Sequence, residues 1–155
     1  MSGRLTSGDR HRAREAALQM LYQWEVGHGD PADVPPSYWT LERSGTPPSP
    51  AFRQFADGLA LGTIRRVAEI DPLIAAAAEH WRLARMAVVD RLILRLAVFE
   101  LQSGGAVPAS VVINEAIELA RTFSTEEAVK FVNGVLDAIR RRLDPAAADA
   151  AEPGR

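Results

Sequence analysis

Apolar residues recur along the chain at three- and four-residue steps, and nowhere with the two-residue alternation of a half-buried strand. The first such run predicts a helix from Arg10 to about Val26, with Asp9 as N-cap and Gly27 and Gly29 closing it. At ~100° per residue, Ala13, Ala16, Ala17, Met20, Leu21 and Trp24 share one face. His11, Leu18 and Tyr22 fall outside that face, and Arg14 sits at its margin. A second helix is predicted from about Ala51 to Glu69, with Phe52, Phe55, Leu59 and Ile64 inward. Asp71 and Pro72 then read as N-cap and first position of a short helix to about Glu79, and Trp81 begins a connection reaching Met86. From Val88 to Gln102 the pattern is apolar on most sides, which predicts the central buried helix, closed by Gly104 and Gly105. Pro108 opens a further helix to Phe123, with Asn114, Glu115, Glu118, Arg121 and Thr122 as its polar stripe. Ser124 with Glu127 reads as a capping box for a last helix running to about Arg142. Gly134, inside that helix, is expected at a close approach to a neighbour, because glycine there costs roughly 1 kcal/mol relative to alanine.

Residues 27–50 hold six of the ten prolines and read as a loop with a short turn around Tyr38, Trp39 and Leu41. Residues 1–9 are expected to be a disordered lead and 144–155 a disordered tail, leaving 10–143 as one domain. The fold class is therefore all-α, a compact bundle of about seven helices.

Composition narrows the function. The absence of cysteine excludes disulfides, thiolate metal sites and a cysteine nucleophile, and fits the cytoplasm. The three histidines, His11, His28 and His80, are scattered and none has a partner at metal-ligand spacing. No glycine pattern cradles a phosphate, and Ser103 and Ser110 lack a nucleophile-elbow context. No catalytic residue, metal or cofactor is assigned, and the protein reads as a non-enzyme. Glu100, among Leu96, Phe99 and Leu101, reads as a buried carboxylate with a structural partner. No apolar run approaches the ~18 residues that span a bilayer, and Glu15, Gln19, Gln23 and Glu25 interrupt any signal-peptide core. No membrane partner is expected. A net charge of −2 excludes a uniformly basic nucleic-acid binder but leaves room for a local patch.

That patch is Arg10, His11, Arg12 and Arg14, opposed before Glu15 only by Asp9. Bases on the first turns of a helix stand against its dipole, which favours acids there by ~0.3–1 kcal/mol. Such placement suits an anion, and arginine's forked donors fit phosphate and guanine edges. A solvated helix end is the plainer reading. Tyr22, in line with Leu18 and Arg14 at four-residue steps, adds a stacking platform for an unpaired base, unless the proline-rich loop covers it. Arg140, Arg141 and Arg142 lie in a last helical turn, where the dipole accounts for them.

Four stretches resemble the NusB antitermination family: Arg12 to Tyr22 (RAREAALQMLY), Val89 to Leu101 (VDRLILRLAVFEL), Val112 to Ala120 (VINEAIELA) and Lys130 to Asp137 (KFVNGVLD), in order and at the expected spacing. The resemblance implies two packed helical subdomains. It also implies a protein that binds single-stranded, boxA-like RNA together with NusE, a small-subunit ribosomal protein, within an RNA polymerase antitermination complex that supports ribosomal RNA transcription. Carried over residue by residue, it assigns RNA contact to Arg10, Arg12, Arg14 and Tyr22, and also to Asp90 and Phe131. His11 stands where an arginine is expected. Glu127 falls on the partner-facing surface, where the family often has aspartate. Two other uses of such a chain are an RNA-binding accessory domain of the kind attached to ribosomal-RNA cytosine methyltransferases and a helical adaptor without RNA affinity.

Overall fold

The computed structural model describes residues 4–42, 45, 47–79 and 85–143. Among them the regular structure is wholly helical: α1 (Ser7–Gly27), a 3-10 turn (Pro31–Asp33), α2 (Val34–Leu41), α3 (Pro50–Arg65), α4 (Val67–Ala78), α5 (Val88–Leu101), α6 (Ala109–Phe123) and α7 (Glu126–Leu143). The residues form two compact units, one up to Arg66 and one from Val67 onward. Trp81 and the tail from Asp144 lie outside the described residues.

In the first unit α1 packs on α3 and α2. It begins at Ser7, three residues ahead of the expected start. Thr6, not Asp9, is its N-cap: the Thr6 hydroxyl accepts from the Asp9 N–H, and the Asp9 carboxylate accepts from the Thr6 N–H, both at 3.0 Å. The two orphan donors of the helix start are thus satisfied reciprocally. His28 ends the helix in the left-handed conformation, its N–H donating to the Trp24 carbonyl at 2.8 Å. Because α1 meets two neighbours, its buried face is wider than one stripe: Arg14 and Leu18 join Ala13, Ala16, Ala17, Met20 and Leu21 inside. From α3, Ala56, Leu59, Ala60, Thr63 and Ile64 are buried.

The proline-rich segment, expected as a loop, contains α2. Pro31 opens the 3-10 turn, and Pro35 and Pro36 lie in the first turn of α2. At those positions a missing N–H removes no helical hydrogen bond, so proline density there starts helices. Polar contacts hold α2 in place. Tyr38 donates to the Gln19 side-chain oxygen at 2.5 Å, Gln23 donates to Ser37 at 3.1 Å, and the Trp39 indole donates to Asp57 of α3 at 2.7 Å.

In the second unit α5 packs on α4, α6 and α7. Leu92, Ile93, Leu94, Leu96, Ala97 and Val98 make it the buried helix its pattern predicts. Gly104 and Gly105 close it with φ of 80° and 81°, the left-handed region that costs glycine nothing. Four expectations are corrected here. The helix expected to run to Glu69 breaks at Arg66, and α4 starts at Val67 with Pro72 inside it. Asp71 is therefore no N-cap: its two carboxylate oxygens accept from Nε and Nη2 of Arg95 on α5, both at 2.8 Å. The cap of α7 is Thr125, whose hydroxyl accepts from the Ala128 N–H at 3.1 Å, so the Ser124–Glu127 box does not form. Gly134 is exposed, and a Cβ built there meets nothing within 4 Å, so no described neighbour requires glycine at that position.

Candidate nucleic-acid interface

The capping box fixes the chemistry of the first unit's basic head. Asp9 is held below the usual carboxylate range, first by the Thr6 backbone N–H and hydroxyl and then by the Arg12 guanidinium. Arg12 is bound to the Asp9 carboxylate yet is 61% exposed, so its remaining donors face solvent. Arg10, one residue beyond Asp9, is exposed. The His11 ring is half-buried, with Nε2 3.6 Å from a Glu15 oxygen. The head thus offers two accessible guanidiniums, one of them with its own internal anion.

Arg14 differs. It is 2% exposed, and its guanidinium carbon lies 5.6 Å from the centre of the Phe55 ring of α3. A cation over an aromatic face gains most when desolvated. The expected surface contact at Arg14 is corrected on this geometry: its guanidinium is used inside the unit, where a phosphate does not reach. Leu18 is likewise buried, so the supposed outward line of Arg14, Leu18 and Tyr22 is broken. Tyr22 itself is 49% exposed. The residues that share its line are Glu15, seven positions back, and His11, eleven positions back, which at 1.5 Å per residue is ~16 Å along the helix.

The other expected residues belong to the second unit. Asp90 is in the first turn of α5, and its carboxylate accepts from the Ser124 hydroxyl at 2.6 Å. That bond ties the start of α5 to the α6–α7 junction. Phe131 on α7 is half-buried and engaged with its surroundings. Glu127 is exposed on the first turn of α7. Of the closing arginines, Arg142 donates to the Ala76 carbonyl of α4 at 3.2 Å, and Arg141 lies 3.3 Å from Asp137. Glu100 is buried and has a partner.

Sequence reasoning missed Thr6 as the cap of α1, Phe55 as the partner of Arg14 and Ser124 as the partner of Asp90. Thr6 had a local signal, since Thr-x-x-Asp ahead of an apolar run is a capping-box pattern. Phe55 and Ser124 had none: their partners are 41 and 34 positions away, by subtraction of residue numbers. Among the described residues no cluster of His, Cys, Asp or Glu could hold a metal ion, and no helix is long and apolar enough to cross a membrane. Exposed guanidiniums and an exposed phenol ring can bind a polyanion and stack a base.

The family model described as "NusB family" matches residues 11–141. The chain is 48% identical over 134 residues to the transcription antitermination protein NusB of Solibacter usitatus, covering 86% of this chain and 90% of that protein. It is 43% identical over 136 residues to the NusB of Geobacter sulfurreducens, covering 88% and 96%. Among solved structures, T. maritima NusB superposes with a TM-score of 0.74 at 35% identity, covering 85% of this chain and 90% of that one. A chain from a crystal structure of antitermination factors NusB and NusE in complex with dsRNA superposes with a TM-score of 0.76 at 28% identity, covering 88% and 99%.

Proposed function

The chain belongs to the NusB family, and on that premise we propose that it is a transcription antitermination factor that takes up boxA-type RNA together with NusE and carries it into the antitermination complex on RNA polymerase. The observation that carries the reading is the solvent-facing head of α1, where Arg10 and Arg12 are exposed, with Tyr22 exposed further along the same helix. Phosphates fall to the guanidiniums and an unpaired base to the phenol ring. His11, half-buried beside Glu15, is assigned to the RNA surface with the rest of the cluster on family resemblance. Asp90 and Phe131 are assigned to the RNA surface and Glu127 to the NusE surface on family resemblance. The role is binding, in the cytoplasm, with no bond made or broken.

A salt titration of boxA-RNA binding, with and without NusE, tests this. Arg10→Ala is expected to weaken binding and flatten its logarithmic salt slope by ~0.7, one single-strand phosphate contact. Tyr22→Ala is expected to cost ~1–3 kcal/mol at nearly constant slope, and Tyr22→Phe little, because stacking needs the ring and not the hydroxyl. If Arg10→Ala and Arg12→Ala both bind as the parent does at every salt concentration, the head of α1 is a solvated helix end and the RNA site lies elsewhere. Glu127→Gln tests the partner surface: unchanged NusE affinity removes that assignment.

A further inference from the structure

In the second unit a carboxylate and a hydroxyl are joined where neither serves a helix end. Asp90 is the third residue of α5, the position from which an acid commonly turns back to the N–H of the N-cap residue, here Ala87. Its Oδ1 accepts instead from the Ser124 hydroxyl at 2.6 Å. Ser124 closes α6 through its main chain, the N–H donating to the Ala120 carbonyl at 2.8 Å, and Thr125 caps α7. The Ser124 hydroxyl is therefore committed to Asp90. An O–H···O⁻ bond of this length belongs to the short, charge-assisted class. It fixes the rotation of a half-buried side chain that keeps part of its surface open to solvent.

What this carboxylate can read follows from its chemistry. It offers about four lone-pair sites, of which Ser124 takes one, and it donates nothing. It repels a phosphodiester, so it adds nothing to the charge-driven grip of a strand. Its partners are base donors, and in an unpaired strand the Watson–Crick edges are open to a side chain. Guanine sets N1–H and N2–H side by side on that edge, matching the two oxygens of one carboxylate. Adenine and cytosine set an amino donor beside a ring-nitrogen acceptor, which meets the second oxygen with repulsion. Uracil flanks its N3–H with two carbonyl oxygens. Two acceptors held in place thus favour guanine, and a carboxylate already anchored loses less rotational freedom when the base arrives.

We propose that Ser124 is a positioning residue for base readout: its hydroxyl holds the Asp90 carboxylate so that the remaining lone pairs accept from N1–H and N2–H of an unpaired guanine. This rests on the assignment of Asp90 to the RNA surface made above. It concerns which base is taken, whereas Arg10 and Arg12 answer phosphates of any sequence.

The test is a binding titration of the full chain, with NusE present, against a boxA-like RNA that contains guanine and a copy with adenine in its place. The adenine copy keeps a purine to stack but turns a ring acceptor to the carboxylate, so the ratio of the two affinities reports the readout. The parent is expected to favour guanine about tenfold, as for a hydrogen bond to a charged group. Ser124→Ala should lower that ratio to about threefold, the entropy of one side chain left to be fixed on binding, with the affinity for the adenine copy unchanged. Ser124→Thr, which keeps a hydroxyl, should restore the ratio, and Asp90→Ala should abolish the preference. Ser124→Ala is expected to fold, because α6 closes on a main-chain bond and Thr125 keeps the cap of α7, and its melting temperature checks this. The proposal is overturned if the parent does not favour guanine, if Ser124→Ala keeps the parent's ratio or weakens both RNAs equally, or if Ser124→Thr stays at the alanine level. The underlying assignment fails separately: an Asp90→Ala variant that binds both RNAs as the parent does removes Asp90 from the RNA surface, whatever Ser124 does.

Discussion

Among the described residues, five of the eleven buried apolar side chains up to Arg66 are alanines, against five of twenty beyond it. The second unit fills its interior with Ile70, Ile74, Leu92, Ile93, Leu94, Leu96, Leu119, Leu136 and Ile139. The first buries Ala13, Ala16 and Ala17 on α1 and Ala56 and Ala60 on α3, two helices that pack together, and holds a whole arginine in its interior. Apolar area scales with side-chain size, so the alanine-lined contact returns less per residue. Directional contacts make up part of the difference: Arg14 on Phe55, Tyr38 on Gln19, Trp39 on Asp57. The comparison teaches that the unit carrying the basic head depends more on individual polar groups, whereas the other depends on bulk aliphatic packing.

The largest effect should come from the aliphatic side. Leu94→Ala is expected to cost ~2–5 kcal/mol, read as a lower denaturant midpoint at unchanged slope. A cost below ~1 kcal/mol would erase the contrast. Next comes Arg14→Ala, expected to cost about 2 kcal/mol through the lost cation–ring contact and stem burial. It should leave the salt slope of RNA binding unchanged, whereas a flattened slope would return Arg14 to the surface. Asp71→Asn is expected to cost roughly 1–2 kcal/mol, a charged hydrogen-bond pair reduced by partial exposure. Gly134→Ala should raise stability by about 0.5–1 kcal/mol, and a loss instead would reveal a neighbour at that face. The smallest effect concerns pH. Below about pH 10 the Tyr38 phenol is protonated whether or not the chain is folded, so its contribution is fully present. Its folded value is about 12, so between 10 and 12 the unfolded chain loses a proton that the folded one keeps, and stability falls as pH rises. Tyr38→Phe should flatten that decline in a series of melts, and an unaltered decline would assign it to other groups.

The helices that bury apolar faces were legible because their signal is local and repeated: α5 and α6 lie within two residues of where their periodicity puts them. The misplaced features are those with two equivalent local readings. Asp-Pro at 71–72 starts many helices, but a partner 24 positions away, Arg95, takes the aspartate. Ser124 and Thr125 are adjacent and chemically alike as caps. Only the claim of Asp90 on Ser124 leaves the role to Thr125. The same limit governs the site. The helical wheel put both Tyr22 and Leu18 outside the core face, and of the two only Tyr22 is exposed; the burial of Arg14 depends on Phe55, which no spacing within α1 reveals.

The Asp9 carboxylate on Arg12 has a thermodynamic consequence for any strand that reaches the head of α1. A phosphate neutralised by an arginine sheds a condensed cation into solution, and the entropy of that release drives binding at low salt. At Arg12 the guanidinium is already paired with a tethered carboxylate that the Thr6 N–H also holds, so a phosphate reaching its solvent-facing donors would share a charge that is already partly answered. A guanidinium answered in this way neutralises less of a phosphate's charge, so the ion release from such a contact would be smaller than at an arginine without an internal anion. For a strand bound there, Arg10 would carry more of the salt dependence than Arg12.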